Sequence, residues 1–170
     1  NNLSSSLASL HIVGSINSNR TLKAFESLDN NWKAREVIKP TYELPKNSIA
    51  GNLYFIDVPN AKQSSIFLGR LALSATDPDY NNLEFANEIL GGGSSGKLFQ
   101  ILRIEKGYTY GASSFLQENN EVSPFVAYSR VRSNATKPSL EIIIDLLKNY
   151  GLNFSEADVE TTKNKILKGN

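Results

Sequence analysis

Arg103 and Tyr110 stand seven residues apart in Leu102-Arg103-Ile104-Glu105-Lys106-Gly107-Tyr108-Thr109-Tyr110-Gly111. The guanidinium offers a rigid fork of donors that suits a carbonyl or a carboxylate, and the phenol offers one hydrogen bond that can be aimed at a developing oxyanion. Such a pair can hold a peptide backbone without catalysing anything itself. The alternative is structural, with Arg103 paired to Glu105, Glu118 or another surface acid and Tyr110 packed in a sheet.

Other chemistries find less support. The chain has one histidine, His11, and no cysteine, so neither a zinc site nor a Ser-His-Asp triad can be assembled from it. Gly91 through Lys97 comes close to a phosphate-cradling loop, but Leu98 stands where a magnesium-binding hydroxyl is required, and helical rather than strand-like spacing precedes it. The glycines therefore read as a sharp turn between two helices. Asp77 with Asp79, and Glu118 with Glu121, fall in caps and turns, where solvation and capping explain them.

The elements that must position the pair follow from periodicity. A helix over Asp77–Leu90, the glycine turn, and a second helix over Ser95–Glu105 deliver Arg103; strands over Thr109–Gln117 and Pro124–Ser133 deliver Tyr110. On the second strand Phe125, Ala127 and Val131 share one face, and Arg130 and Arg132 lie opposite, on a solvated face or a binding wall. Upstream, Ser6–Gly14 reads as a strand and Ser18–Leu28 as a helix with Leu22, Phe25 and Leu28 on one side. Asn52–Val58 and Gln63–Leu73 read as two more strands. The latter is apolar on both faces and is expected in the middle of the sheet. Lys137–Tyr150 reads as a helix, and a last one begins at a Ser155/Asp158 capping box and ends at Gly169. The order specifies an α+β fold with a largely antiparallel mixed sheet and helices packed mainly on one face.

At 170 residues and 40% hydrophobic content the chain can bury a real core. Its formal charge of +1, with acids and bases interspersed, leaves no electrostatic footprint for nucleic acid. No apolar run approaches the length of a membrane span. Methionine is absent even from position 1, which reads as a piece of a longer chain.

The Arg103–Tyr110 segment resembles the L-R-x-x-x-G-x-x-Y segment of the pitrilysin or insulinase-like M16 metallopeptidases, the inverzincins. Leu10-His11-Ile12-Val13-Gly14 is similar to that family's strand ending in glycine, and Pro59 through Ser64 to its P-x-x-x-Q-S strand entry. Asp77-Pro78-Asp79-Tyr80 with Leu90-Gly91-Gly92 is similar to its D-x-D-Y and L-G-G helix. The resemblance implies an M16 peptidase-like half: residues 1–32 a strand-helix tail of the preceding zinc-binding half, 33–50 a linker, and 51–170 a C-terminal-type domain truncated at its end. It implies that zinc sits in a complementary, H-x-x-E-H-bearing half, in the same chain or a partner subunit, that the two halves close on a peptide substrate, and that this half is inactive alone. Arg103 is then expected to hold the peptide, and Tyr110 to bind substrate and donate to the tetrahedral intermediate. The alternative is a non-catalytic M16-like partner subunit or scaffold.

Overall fold

The structure, a computed structural model, describes residues 3–38, 43 and 51–168. It divides into two units, Asn1–Pro45 and Lys46–Asn170.

In the first unit a helix, α1 (Ser18–Asn31), begins where Asn17 accepts the Arg20 amide at 3.1 Å. Its capping follows the expected chemistry. The buried Ser4 hydroxyl donates to the Arg35 carbonyl at 2.8 Å and accepts the Arg35 amide at 3.0 Å, and the Arg35 guanidinium returns to the Leu3 carbonyl. This clasp joins the start of the unit to the stretch after α1. The strand expected over Ser6–Gly14 does not form: Ser5–Leu7 is a single 3₁₀ turn and the following residues, His11 among them, are exposed and belong to no strand. Alternation alone makes no strand without a ladder partner, and within this unit none is present among the described residues. Leu22, Phe25 and Leu28 are likewise exposed rather than packed. Of the expected linker, Lys39–Tyr42 and Leu44–Ala50 lie outside the described residues, as does the expected helix stop at Gly169.

The second unit is α+β. Three antiparallel strands, β1 (Gln63–Leu71), β2 (Thr109–Leu116) and β3 (Pro124–Arg132), lie in the order β1-β3-β2. The helices are α2 (Tyr80–Gly91), the short α3 (Lys97–Phe99), α4 (Thr136–Lys148), α5 (Tyr150–Asn153) and α6 (Glu156–Lys168). Among the described residues of this unit they pack on one face of the sheet. Phe125, Ala127, Ser129 and Val131 of β3 point into a core with Ile66, Leu90, Leu98, Leu102, Ile143 and Leu146, whereas Arg130 and Arg132 are exposed on the opposite face. The alternation read from β3 is therefore the alternation observed.

Two expectations are corrected here. β1 is an edge strand of the described sheet, and β3 is the central one. Its second apolar face is met by cross-strand pairing, Phe67 lying 4.7 Å from the Tyr128 ring, and not by a covering layer, so Phe67 stays largely exposed. Asn52–Val58 forms no strand; Leu53, Tyr54, Phe55, Ile56 and Val58 are exposed.

The glycine turn is a packing device. A Cβ at Gly91 would stand 2.2 Å from the Ser114 amide nitrogen of β2, so only glycine lets α2 approach the sheet this closely. The buried Asn87 and Ser114 exchange hydrogen bonds of 3.2 and 2.6 Å beside it. α6 secures the turn from the other side, Lys165 reaching Glu88 at 2.8 Å and the Gly92 carbonyl. Lys97, the residue that would face phosphate in a nucleotide loop, is instead paired with Asp158 at 2.7 Å. The Ser155/Asp158 capping box closes as read, the Ser155 amide donating to the Asp158 carboxylate at 2.8 Å.

Two predictions follow from this packing. Gly91→Ala forces a backbone shift and lowers unfolding free energy by about 2 kcal/mol or more in urea titrations, while Gly151→Ala, whose Cβ meets nothing, leaves it unchanged or raises it by up to about 1 kcal/mol. Burial acts to raise the Asp158 carboxyl, but the Lys97 ammonium and the Ser155 amide and hydroxyl hold it below its ordinary 3.8. Its stabilising contribution is thus complete above 3.8 and lost as pH falls through the lower native value. The urea midpoint of the parent is expected to fall more steeply on acidification through that window than that of Asp158→Asn.

Candidate functional site

Arg103 and Tyr110 come together by two departures from regular structure. After α3 the helix widens into a π-helical turn over Gln100–Glu105, with the Lys106 amide reaching five residues back to Ile101. Leu102 is fully buried within that turn, and its neighbour Arg103 is turned toward the sheet. Gly107, at φ +62, reverses the chain into β2 in a conformation that favours glycine.

The second departure is a bulge. β2 pairs Thr109 with Val131 and Ala112 with Ser129, so three steps on one strand oppose two on the other. Thr109 and Ala112 both remain buried, and the residues between them, Tyr110 and Gly111, are both driven outward. Hydroxyls hold the bulge. Thr109 Oγ1 lies 2.6 Å from the Arg130 carbonyl and 2.7 Å from the Gly111 carbonyl and accepts the Gly111 amide at 3.0 Å. Ser129 Oγ donates to the Gly111 carbonyl at 3.0 Å.

Arg103 docks on this bulge. Its Nη1 donates to the Thr109 carbonyl at 3.3 Å, and the guanidinium carbon lies 4.8 Å from the centre of the Tyr110 ring. That is a cation–π arrangement, worth about 0.5–1 kcal/mol at an exposed site. Tyr110 is 81% exposed. The structural alternative for the pair does not hold: among the described residues no carboxylate lies within ion-pair distance of Arg103, and Tyr110 is not packed in the sheet. One hydrogen bond to a carbonyl leaves most of the guanidinium donors free, and the phenol oxygen projects into solvent.

Around the pair are Gln63, Tyr108, Arg130 and Arg132, which with it line a recess of about 230 Å³. Arg132 lies 5.4 Å from the centre of the Tyr108 ring. A larger groove of about 570 Å³ adjoins it, lined in part by Phe99, Ala112 and Tyr128. Sequence reading singled out the two strand arginines but missed Thr109, Ser129, Tyr108 and Gln63. A glycine inside an alternating strand was the available signal for a bulge and so for Thr109. Among the described residues no group of three or more His, Cys, Asp or Glu side chains converges as a metal site, and no helix is long and apolar enough to cross a membrane.

With this geometry in view, the comparisons with known proteins are coherent. Residues 1–166 match the family described as the peptidase M16 inactive domain, and the chain belongs to that family. It is 28% identical over 162 residues to the "Probable inactive metalloprotease YmfF" of Bacillus subtilis (strain 168), an alignment covering 91% of this chain and 36% of that protein. The chain thus spans about a third of that relative's length. A peptidase M16 inactive domain from Pseudomonas fluorescens superposes with a TM-score of 0.61 at 26% identity, covering 64% of this chain and 27% of the other. A protease from Helicobacter pylori superposes with a TM-score of 0.72 at 17% identity over 92% of this chain and 39% of its own, a likeness of fold.

Removing the hydroxyl that pins the bulge tests its role. Thr109→Val keeps the shape but strands the Gly111 amide and is expected to lower unfolding free energy by about 1–3 kcal/mol, read by thermal or urea denaturation.

Proposed function

We propose that this chain is the peptide-holding, metal-free half of a two-half zinc metallopeptidase, inactive by itself. In this reading the complementary half, in the same polypeptide or a partner subunit, carries H-x-x-E-H and the zinc. Arg103 grips the backbone of an unfolded peptide, and Tyr110 donates to the oxyanion of the tetrahedral intermediate. Residues 1–32 are taken as the tail of the zinc half.

The observation that carries the reading is the pairing of an exposed phenol with an arginine that has no acid partner among the described residues, both fixed on one bulge. A side chain without function has little reason to be so placed: the bulge interrupts a ladder and turns a large aromatic ring to solvent. A zinc held by the complementary half would supply an activated water and polarise the carbonyl, and the Tyr110 phenol, if brought up by closure of the two halves, would stabilise the resulting oxyanion more than it stabilises bound substrate. Dividing donor and metal between halves would also couple turnover to closure.

A second reading is favoured by the name of the Bacillus relative, a probable inactive metalloprotease. Here the chain belongs to a non-catalytic partner subunit or scaffold that keeps the fold and the peptide grip.

Peptide hydrolysis by the zinc-loaded full-length parent separates the two. Under the first reading Tyr110→Phe, shown to be folded, lowers kcat tenfold or more, about 1.4 kcal/mol of transition-state stabilisation, and Arg103→Ala raises KM. A parent that binds peptide through Arg103 but never cleaves it supports the scaffold. Cleavage indifferent to both substitutions removes the pair from the mechanism.

A further inference from the structure

We propose that the outer face of the sheet beside Tyr110 holds a carboxylate-binding subsite, formed by Arg130 and Arg132 next to the peptide-gripping Arg103, that selects extended peptide segments bearing Asp or Glu at alternate positions. The proposal rests on the peptide-holding reading and adds a substrate class to it.

Three guanidiniums line one small recess whose wall contains no acidic residue, and among the described residues none of the three has a carboxylate within ion-pair distance. The nearby bases that do have acid partners, Lys97 and Lys165, are spent on joining helices. Two of the three arginines are oriented by aromatic rings, Arg103 over Tyr110 and Arg132 over Tyr108. A ring contact restrains the guanidinium without consuming its N–H donors, which remain available for a carboxylate, the acceptor that can take two parallel hydrogen bonds from an arginine.

The spacing favours an extended peptide over other anions. Arg130 and Arg132 are two residues apart on one strand and face the same side, so their origins are about 6.8 Å apart. Side chains at alternate positions of an extended peptide repeat at that same interval. Gln63, opposite Arg132 in register, can donate to the backbone between them. The recess shares Gln63, Thr109, Tyr110 and Arg130 with the adjoining groove, whose wall carries Phe99, Ala112 and Tyr128. A bound chain thus passes from a cationic to an aromatic surface. The overall charge of +1 supplies no broad field for a polyanion, so recognition here is local.

The test uses fluorescent dodecapeptides with both termini blocked, alternating Glu-Ala, Gln-Ala or Lys-Ala, titrated with the protein and followed by anisotropy at low and moderate salt. The Glu peptide is expected to bind at least tenfold tighter than the Gln peptide at low salt, and the Lys peptide weakest. Added salt should narrow the difference. Arg130→Gln combined with Arg132→Gln, with circular dichroism and urea midpoint confirming the fold, should abolish the preference. Equal binding of the Glu and Gln peptides, or a preference that survives the double substitution, overturns the subsite. If Tyr110→Leu then weakens both peptides alike, the peptide grip still stands. Failure to bind any of the peptides overturns both. A single-stranded oligonucleotide or inorganic phosphate that displaces the Glu peptide at lower concentration than unlabelled Glu peptide does would reassign the arginines to phosphate and also overturn the proposal.

Discussion

The site depends on the hydrogen bonds of one buried residue. The Thr109 hydroxyl accepts the Gly111 amide and sits within hydrogen-bond distance of two carbonyls, on its own strand and on β3, while the Thr109 carbonyl receives Arg103. Inside the sheet the extra residue in β2 takes backbone groups such as the Gly111 amide out of the ladder, and leaving them without partners would be costly. With them satisfied, the bulge becomes the low-energy register. It sends Tyr110 outward and gives Arg103 a fixed point of attachment. The same residue that preserves the sheet therefore creates the exposed arginine-tyrosine pair.

The helical layer serves that arrangement at a distance. α2 lies against β2 because Gly91 has no side chain, and Asn87 and Ser114 bridge the contact with their own hydrogen bonds. The turn that follows is braced by Lys165 and by the Lys97–Asp158 pair, so the π-helical turn holding Arg103 starts from a fixed origin. Leu98 and Leu102 then anchor it in the core. Tyr150 adds a further brace, donating to the Ala86 carbonyl at 2.6 Å, and burial, reinforced by Asp158, pushes its hydroxyl up to about 12, so it stays a donor. Among the described residues of this unit no helix packs on the opposite face of the sheet, where Tyr110, Arg130 and Arg132 are exposed.

Much of this was legible from residue order. The alternation of β3, the capping box at α6, and the glycine turn between two helices are local features with local causes, and each is present. Edge and centre were not legible. Strand β1 is apolar on both sides, which periodicity equates with burial on both sides, yet Phe67 meets its neighbour Tyr128 across one ladder and remains exposed. Leu53–Val58 has the composition of a strand, but pairing is a property of two segments, and composition reports only one. Arg103 and Tyr110 were found through their types and a family resemblance. Their convergence required a π-helical turn and a bulge, neither of which has a regular sequence period, and the threonine that holds the bulge carries no signature of its own beyond a nearby glycine.

Whether Arg103 and Tyr110 act as one unit toward a peptide is measured by a double-mutant cycle. Binding of an unstructured neutral peptide would be determined for the parent, Arg103→Ala, Tyr110→Leu and the double variant, each checked for native folding. A coupling free energy of about 1 kcal/mol or more, with the double variant little weaker than either single one, is the predicted result. Losses that add to within about 0.3 kcal/mol, or no loss at either position, would contradict the account.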